Sequence, residues 1–190
     1  MIRLAGAAAL ALTLSACTTV VRCPDPSGAA ATVLLLAHGK SSSLVLPEPA
    51  DGATRWAFGD WEYYALGDKD LGSTLAAAVL RTPAALGRQE VEAISDSRAA
   101  LASVLGIGID EVSPLRVARE AVARLRERLE ARFQANVATL HDNPGPRLEF
   151  VRPPESYTLV NSSNRKVASW IRELGCSTSG ITMLSRWRVE

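Results

Sequence analysis

VNSSNRKVASWIRELGC, residues 160–176, is the stretch around which the chain is organised. Its polar opening, Asn161, Ser162, Ser163 and Asn164, runs into an apolar series of Val167, Trp170, Ile171 and Leu174. Steps of three and four residues put that series on one face of a helix. Any of the four polar side chains suits a cap, accepting a hydrogen bond from an N–H that the helix leaves unpaired. Gly175 suits the C-terminal stop. A helix N-terminus set in a core is electropositive and points its N–H groups outward, so it suits a nucleophile or an anion. This chain places serines there.

Working outward, residues 148–151 and 157–160 read as strands around Pro153-Pro154, after a break at Asp142-Asn143-Pro144-Gly145-Pro146. Residues 114–137 read as the longest helix. Ser113 is its expected cap, Pro114 lies in its first turn, and Ala118, Val122, Leu125, Leu129 and Phe133 form its apolar stripe. Residues 32–37, TVLLLA, are apolar on both faces and read as a central strand. Residues 44–46 and 54–58 read as the next two strands, and the tight turns between them predict an antiparallel start. Residues 74–81 read as a helix, Pro83 as the start of a further turn or helix, 91–94 as a short strand and 96–105 as a helix stopped by Gly106. Residues 183–189, with Trp187, read as a closing strand. The expected class is α+β, with a small, mostly antiparallel sheet packed against helices in one domain over residues 32–190.

The opening of the chain predicts its address. Met1-Ile2-Arg3 is a short basic start, and residues 4–14 are an Ala/Leu run too short to span a bilayer but long enough for a signal-peptide core. Leu14-Ser15-Ala16-Cys17 then resembles the lipobox of bacterial lipoproteins. Residues 1–16 are the expected signal peptide, Cys17 the lipidated residue and 17–31 a periplasmic tether. The non-acidic Thr18 fits sorting to the outer membrane, so the expected partner is a bilayer, reached through acylated Cys17, with the domain facing the periplasm. Cys23 and Cys176 remain as a pair. They form a disulfide if their Cα atoms come within about 7 Å, and are free thiols otherwise.

Charge excludes one class of partner. With 21 Lys+Arg against 20 Asp+Glu, the chain lacks the concentrated positive surface that nucleic acid needs. No Cys or His cluster has metal-ligand spacing, Asp68-Lys69-Asp70 lacks the later ligands of a calcium loop, and no glycine motif cradles phosphate, so no metal or cofactor is expected. The residues with hydrolytic potential are His38, Asp60, Ser162 and Ser163, although no Gly-x-Ser-x-Gly elbow surrounds the serines. Phe58, Trp61, Tyr63 and Tyr64 make a local aromatic concentration. Trp61 and Tyr64 are candidates for a contact surface, against the alternative of core packing.

Three pieces together resemble the DUF2459 family, bacterial proteins similar to permuted papain-like, NlpC/P60-type domains: GKSSSLVLP at 39–47, FGDWEYY at 58–64, and residues 161–175. The resemblance implies a papain-like fold with an early histidine and a late cysteine. Carried onto this chain, the family's presumed cysteine falls on Ser163 and its histidine on Ser41, while Asn161 and Asn164 keep the flanking asparagines. Asp60, Trp61 and Tyr64 then join Asn161 and Asn164 as groove residues. A helix N-terminus and an imidazole can lower a thiol's pKa enough to give a thiolate, but cannot do so for a hydroxyl. The expected function is therefore a catalytically inactive, papain-like envelope lipoprotein that binds an envelope protein or a cell-wall component, or plays a structural part there. The alternative is a hydrolase of amide or ester bonds in the envelope, using Ser163 with His38.

Overall fold

Strands buried on both faces dominate the computed structural model, which describes residues 18–67, 81–92, 97–145 and 147–190. Cys17, Asp68, Asp70 and residues 74–80 of the expected helix lie outside that range. The run AATVLLLAH forms β2 (Ala30–His38), paired antiparallel with β3 (Ser41–Pro47) across the turn at Gly39. Gly39 takes φ 59°, a left-handed conformation that suits glycine. β4 (Ala53–Asp60) and β5 (Thr82–Val91) continue the antiparallel meander.

Beyond them lie β8 (Leu148–Val151) and β7 (His141–Asn143), while β6 (Glu111–Ala118) closes the other edge beside β2 and β9 (Ser156–Tyr157) pairs with the start of β5. The result is an eight-stranded, fully antiparallel sheet, in a mixed α+β fold.

Alternation sorts this sheet into two faces. Leu35, Leu44, Leu46, Trp56 and Phe58 share one buried cluster with α2 (Arg119–Gln134) and α3 (Ser163–Glu173). Leu34, Leu36 and Val45 point the other way, onto Leu101 and Leu105 of α1 (Arg98–Leu105). Ser97 caps α1 through its hydroxyl, and Gly106 ends it with φ 67°. α3 is the organising helix: Val167 and Ile171 are fully buried and Trp170 nearly so. Each such side chain contributes about 2 kcal/mol of transfer free energy.

Several expectations are corrected. The predicted helix over 114–137 begins only at Arg119, because residues 111–118 alternate Ser113, Leu115 and Val117 inward against Pro114 and Arg116 outward. Pro114 fits because β6 is an edge strand, where a missing N–H costs no ladder bond. Ser113 is thus a strand residue, and Ala118 stands at the N-cap position of the helix, with no side-chain capping bond. Pro83 opens no turn or helix but lies in β5, which ends at Val91; residues 93–94 of the strand expected over 91–94 lie outside the described residues. The strand expected over 157–160 is reduced to Ser156–Tyr157, with an isolated bridge from Thr158 to Asn161.

The stretch read as a tether contains β1 (Thr19–Arg22), whose Val21 is fully buried in the core. β1 lies between β10 (Ser177–Ser179) and β11 (Trp187–Val189), antiparallel to the first and parallel to the second. Cys23 and Cys176 are joined by a disulfide beside this small sheet.

Candidate functional site

The N-terminus of α3 packs against the start of β3, and one asparagine joins them. Asn164, 1 % exposed, accepts a hydrogen bond from the Ser42 hydroxyl at 2.9 Å. Its amide nitrogen donates to the carbonyls of Lys40 at 3.0 Å and Met183 at 3.2 Å. The Trp187 indole donates to Ser42 at 2.7 Å. Asn164 thus ties β2–β3, α3 and the segment before β11 at a single buried point. Asn161 is also committed internally, donating to the Ser156 carbonyl at 2.7 Å.

The serines sit as the helix pattern places them, but their hydroxyls have other uses. Ser162 is the N-cap residue without a side-chain capping bond, and its buried Oγ has no hydrogen-bond partner among the described residues. Ser163 is 2 % exposed, and the Tyr157 phenol lies beside its amide and side chain, which draw the phenol's pKa down against the effect of burial. A neutral phenol therefore occupies the electropositive corner that an anion would otherwise take. Burial raises the Tyr157 pKa, so the phenol stays protonated.

Strand parity separates the other candidates from this corner. His38 and Ser41 are cross-strand partners, and alternation puts both, with Ser43, on the sheet face away from α3; Ser42 is the β3 serine that meets the helix. His38 Nε2 lies 3.1 Å from Ser43 Oγ. Arg55 Nε donates to the same hydroxyl at 3.2 Å, and its Nη1 reaches Gln89 at 3.2 Å. Burial, then the neighbouring Arg55 cation, lowers the His38 pKa to about 3, against the raising influence of Asp110. Burial draws Arg55 itself down to about 10, so it stays charged at neutral pH.

The consequence for stability has a definite sign. Unfolded His38 takes its proton near pH 6.5 and the folded one near 3, so its contribution is present above 6.5 and is lost as pH falls through that window. His38→Gln should remove up to about 1.4 kcal/mol per pH unit of slope between those values, read from urea midpoints against wild type. The His38 ring resonances should also fail to titrate above pH 4 in NMR, roughly one unit above the folded pKa.

Ser41 hydrogen-bonds the Tyr64 hydroxyl, whose pKa is pushed up to about 12, chiefly by burial. Tyr64 and Trp61 lie on a short π-helical turn, Trp61–Ala65, whose N-cap is Asp60. The Asp60 carboxylate accepts from the Tyr63 amide at 2.9 Å and from the Thr82 hydroxyl, which uses both of its oxygens. The Tyr64 ring lies where a Cβ on Gly59 would stand, so that glycine makes room for it. Trp61 is half-buried, edge-on to exposed His141 at 6.2 Å between ring centroids.

A cleft of about 490 Å³ opens elsewhere, between the ends of β3–β5 and α2. Glu48, Asp51, Glu127 and Glu130 line it, together with Arg88 and Trp56. Arg88 is held by Glu130 at 2.7 Å and Glu149 at 2.9 Å. Among the described residues, the indole nitrogen of Trp56, a fully buried residue, and Arg88 Nε have no hydrogen-bond partner. Sequence reasoning missed Tyr157, Ser42 and Trp56 as polar participants. Ser42 was accessible, since SSSLVLP alternates and its even positions continue into Leu44 and Leu46. Among the described residues, no group of three or more His, Cys, Asp or Glu is arranged to hold a metal ion.

Compared with protein-family models, with curated proteins and with solved structures, the chain matches none.

Proposed function

We propose that this chain is an envelope lipoprotein, anchored in the outer membrane through Cys17, which binds rather than hydrolyses. In this reading it is a catalytically silent member of the permuted papain-like group, serving an envelope protein or a cell-wall component. The resemblance rests on the three sequence pieces.

The observation that carries the silent reading is the commitment of the α3 corner. Ser163 lies beside Tyr157, while Asn164 is turned onto Ser42 and two carbonyls, and His38 onto Ser43 across the sheet. Serine acylation needs a base within hydrogen-bond reach, about 3 Å, of the attacking hydroxyl. The cleft beside α2 supports a binding role. Its carboxylates favour a cationic group.

A serine-directed fluorophosphonate is expected to leave the protein unlabelled. Labelling of wild type that disappears in Ser163→Ala would establish the hydrolase instead.

A further inference from the structure

We propose that the end of the fold beside Thr18 lies directly on the bilayer, seating an apolar loop among anionic lipid headgroups. The proposal rests on the reading of Cys17 as the lipidated residue and adds the membrane-facing surface. Three observations converge on it.

The first is reach. Thr18 alone separates Cys17 from β1, and two residues span at most about 7 Å. The domain therefore cannot stand away from its anchor, and whatever surrounds Thr18 meets the membrane.

The second is what surrounds Thr18. The Thr19 amide donates to the Arg186 carbonyl at 2.9 Å, and Gly180 packs against the Thr18 carbonyl. The loop between them exposes Ile181 at 47 %, Met183 at 53 % and Leu184 at 38 %. The loop is held from behind: Asn164 bonds the Met183 carbonyl, and Ser185 donates to the Gly39 carbonyl at 2.5 Å. Val160, 73 % exposed, borders the same region, lining a shallow groove with Thr182 and Arg165. Large apolar side chains presented on a fixed loop next to a lipid anchor suit the boundary between headgroups and acyl chains.

The third is charge. Residues 155–190 carry Arg165, Lys166, Arg172, Arg186 and Arg188 against Glu155, Glu173 and Glu190; Glu155 pairs with Lys166 at 2.9 Å, Glu190 with Arg188 at 2.9 Å and Glu173 with Arg128 at 2.6 Å, which leaves Arg165, Arg172 and Arg186 outside any ion pair among the described residues. The carboxylates of the cleft lie at the opposite end of β3, about 20 Å away at 3.3 Å per residue. A nearly neutral chain is thus polarised, with its basic end at the anchor and its acidic cleft facing away. An anionic leaflet attracts the basic end and leaves the cleft open to solvent.

The test uses the full acylated chain in phosphatidylcholine vesicles, with and without phosphatidylglycerol, doped with a diazirine-bearing phospholipid. After illumination, lipid adducts are expected on peptides covering residues 181–188 and 157–165, and not on those covering 47–55 or 120–132. Phosphatidylglycerol should increase them. The triple variant Ile181→Ser, Met183→Ser, Leu184→Ser, checked for an intact Cys23–Cys176 bond, should lose adducts several-fold on that loop. Arg165→Glu with Arg186→Glu, which leaves the apolar loop in place, should remove the phosphatidylglycerol effect. Even adducts over the surface, none at the loop, or crosslinks from the loop to another protein would overturn the proposal. A mass spectrum without acyl groups on Cys17 would instead overturn the anchoring reading. The face is then judged by adducts on protein added to preformed vesicles, and their absence overturns it as well.

Discussion

Cys23→Ala combined with Cys176→Ala is expected to lower the unfolding free energy by about 5 kcal/mol, a large share of a domain's total. The two cysteines are 153 residues apart in sequence, so their bond closes a loop containing nearly all of the described fold. Closing so long a loop removes much of the unfolded chain's freedom, and the loss grows with the logarithm of loop length. The bond also fixes the exit of β1 against the end of α3, where Cys176 is itself buried. Urea unfolding of the double variant, and of wild type in excess reductant, should give matching reduced midpoints. A loss below about 1 kcal/mol would mean that the unfolded chain is already compact enough to hold these ends together.

Asn164→Ala should cost about 3 kcal/mol, the range expected for breaking a buried hydrogen-bond network. It leaves the carbonyls of Lys40 and Met183 and the Ser42 hydroxyl without their Asn164 partner. Asn164→Asp is the sharper variant because it keeps the volume. It sets a carboxylate oxygen against two carbonyl oxygens and should destabilise at least as much at neutral pH, recovering in part as the carboxyl is protonated in acid. Denaturant midpoints of both variants, with amide exchange at the start of α3, check this. A near-neutral Asn164→Ala would show that the junction is held by apolar packing alone.

The strands most legible in the sequence were those whose burial alternates or runs without a break. TVLLLA and LEFV read directly as strands because nothing local competes with that pattern. The error over 114–118 came from treating Pro114 as a helix opener, when Ser113, Leu115 and Val117 already step by two. β1 was hidden for a different reason. Thr19–Arg22 is a short strand soon followed by the turn-forming Pro24-Asp25-Pro26, and its partners lie more than 150 residues further on. At the candidate site, the helix and its serines were readable from spacing, but the direction of each hydroxyl was not. The separation of His38 from Ser163 depends on which face of β2 carries residue 38. That parity is set by pairing over the whole hairpin, not by its local sequence. Tyr157 was placed near a strand without any signal that its hydroxyl would meet Ser163.

β1 draws both of its hydrogen-bonding neighbours, β10 and β11, from the last part of the sequence. During synthesis, its backbone therefore waits with both edges bare until residues 177–189 arrive. The meander from β2 to β5 can assemble earlier, since each strand finds its mate within a short span of chain. Maturation thus ends with a seam: the small sheet zips around a strand that emerged first, beside the bridge between Cys23 and Cys176.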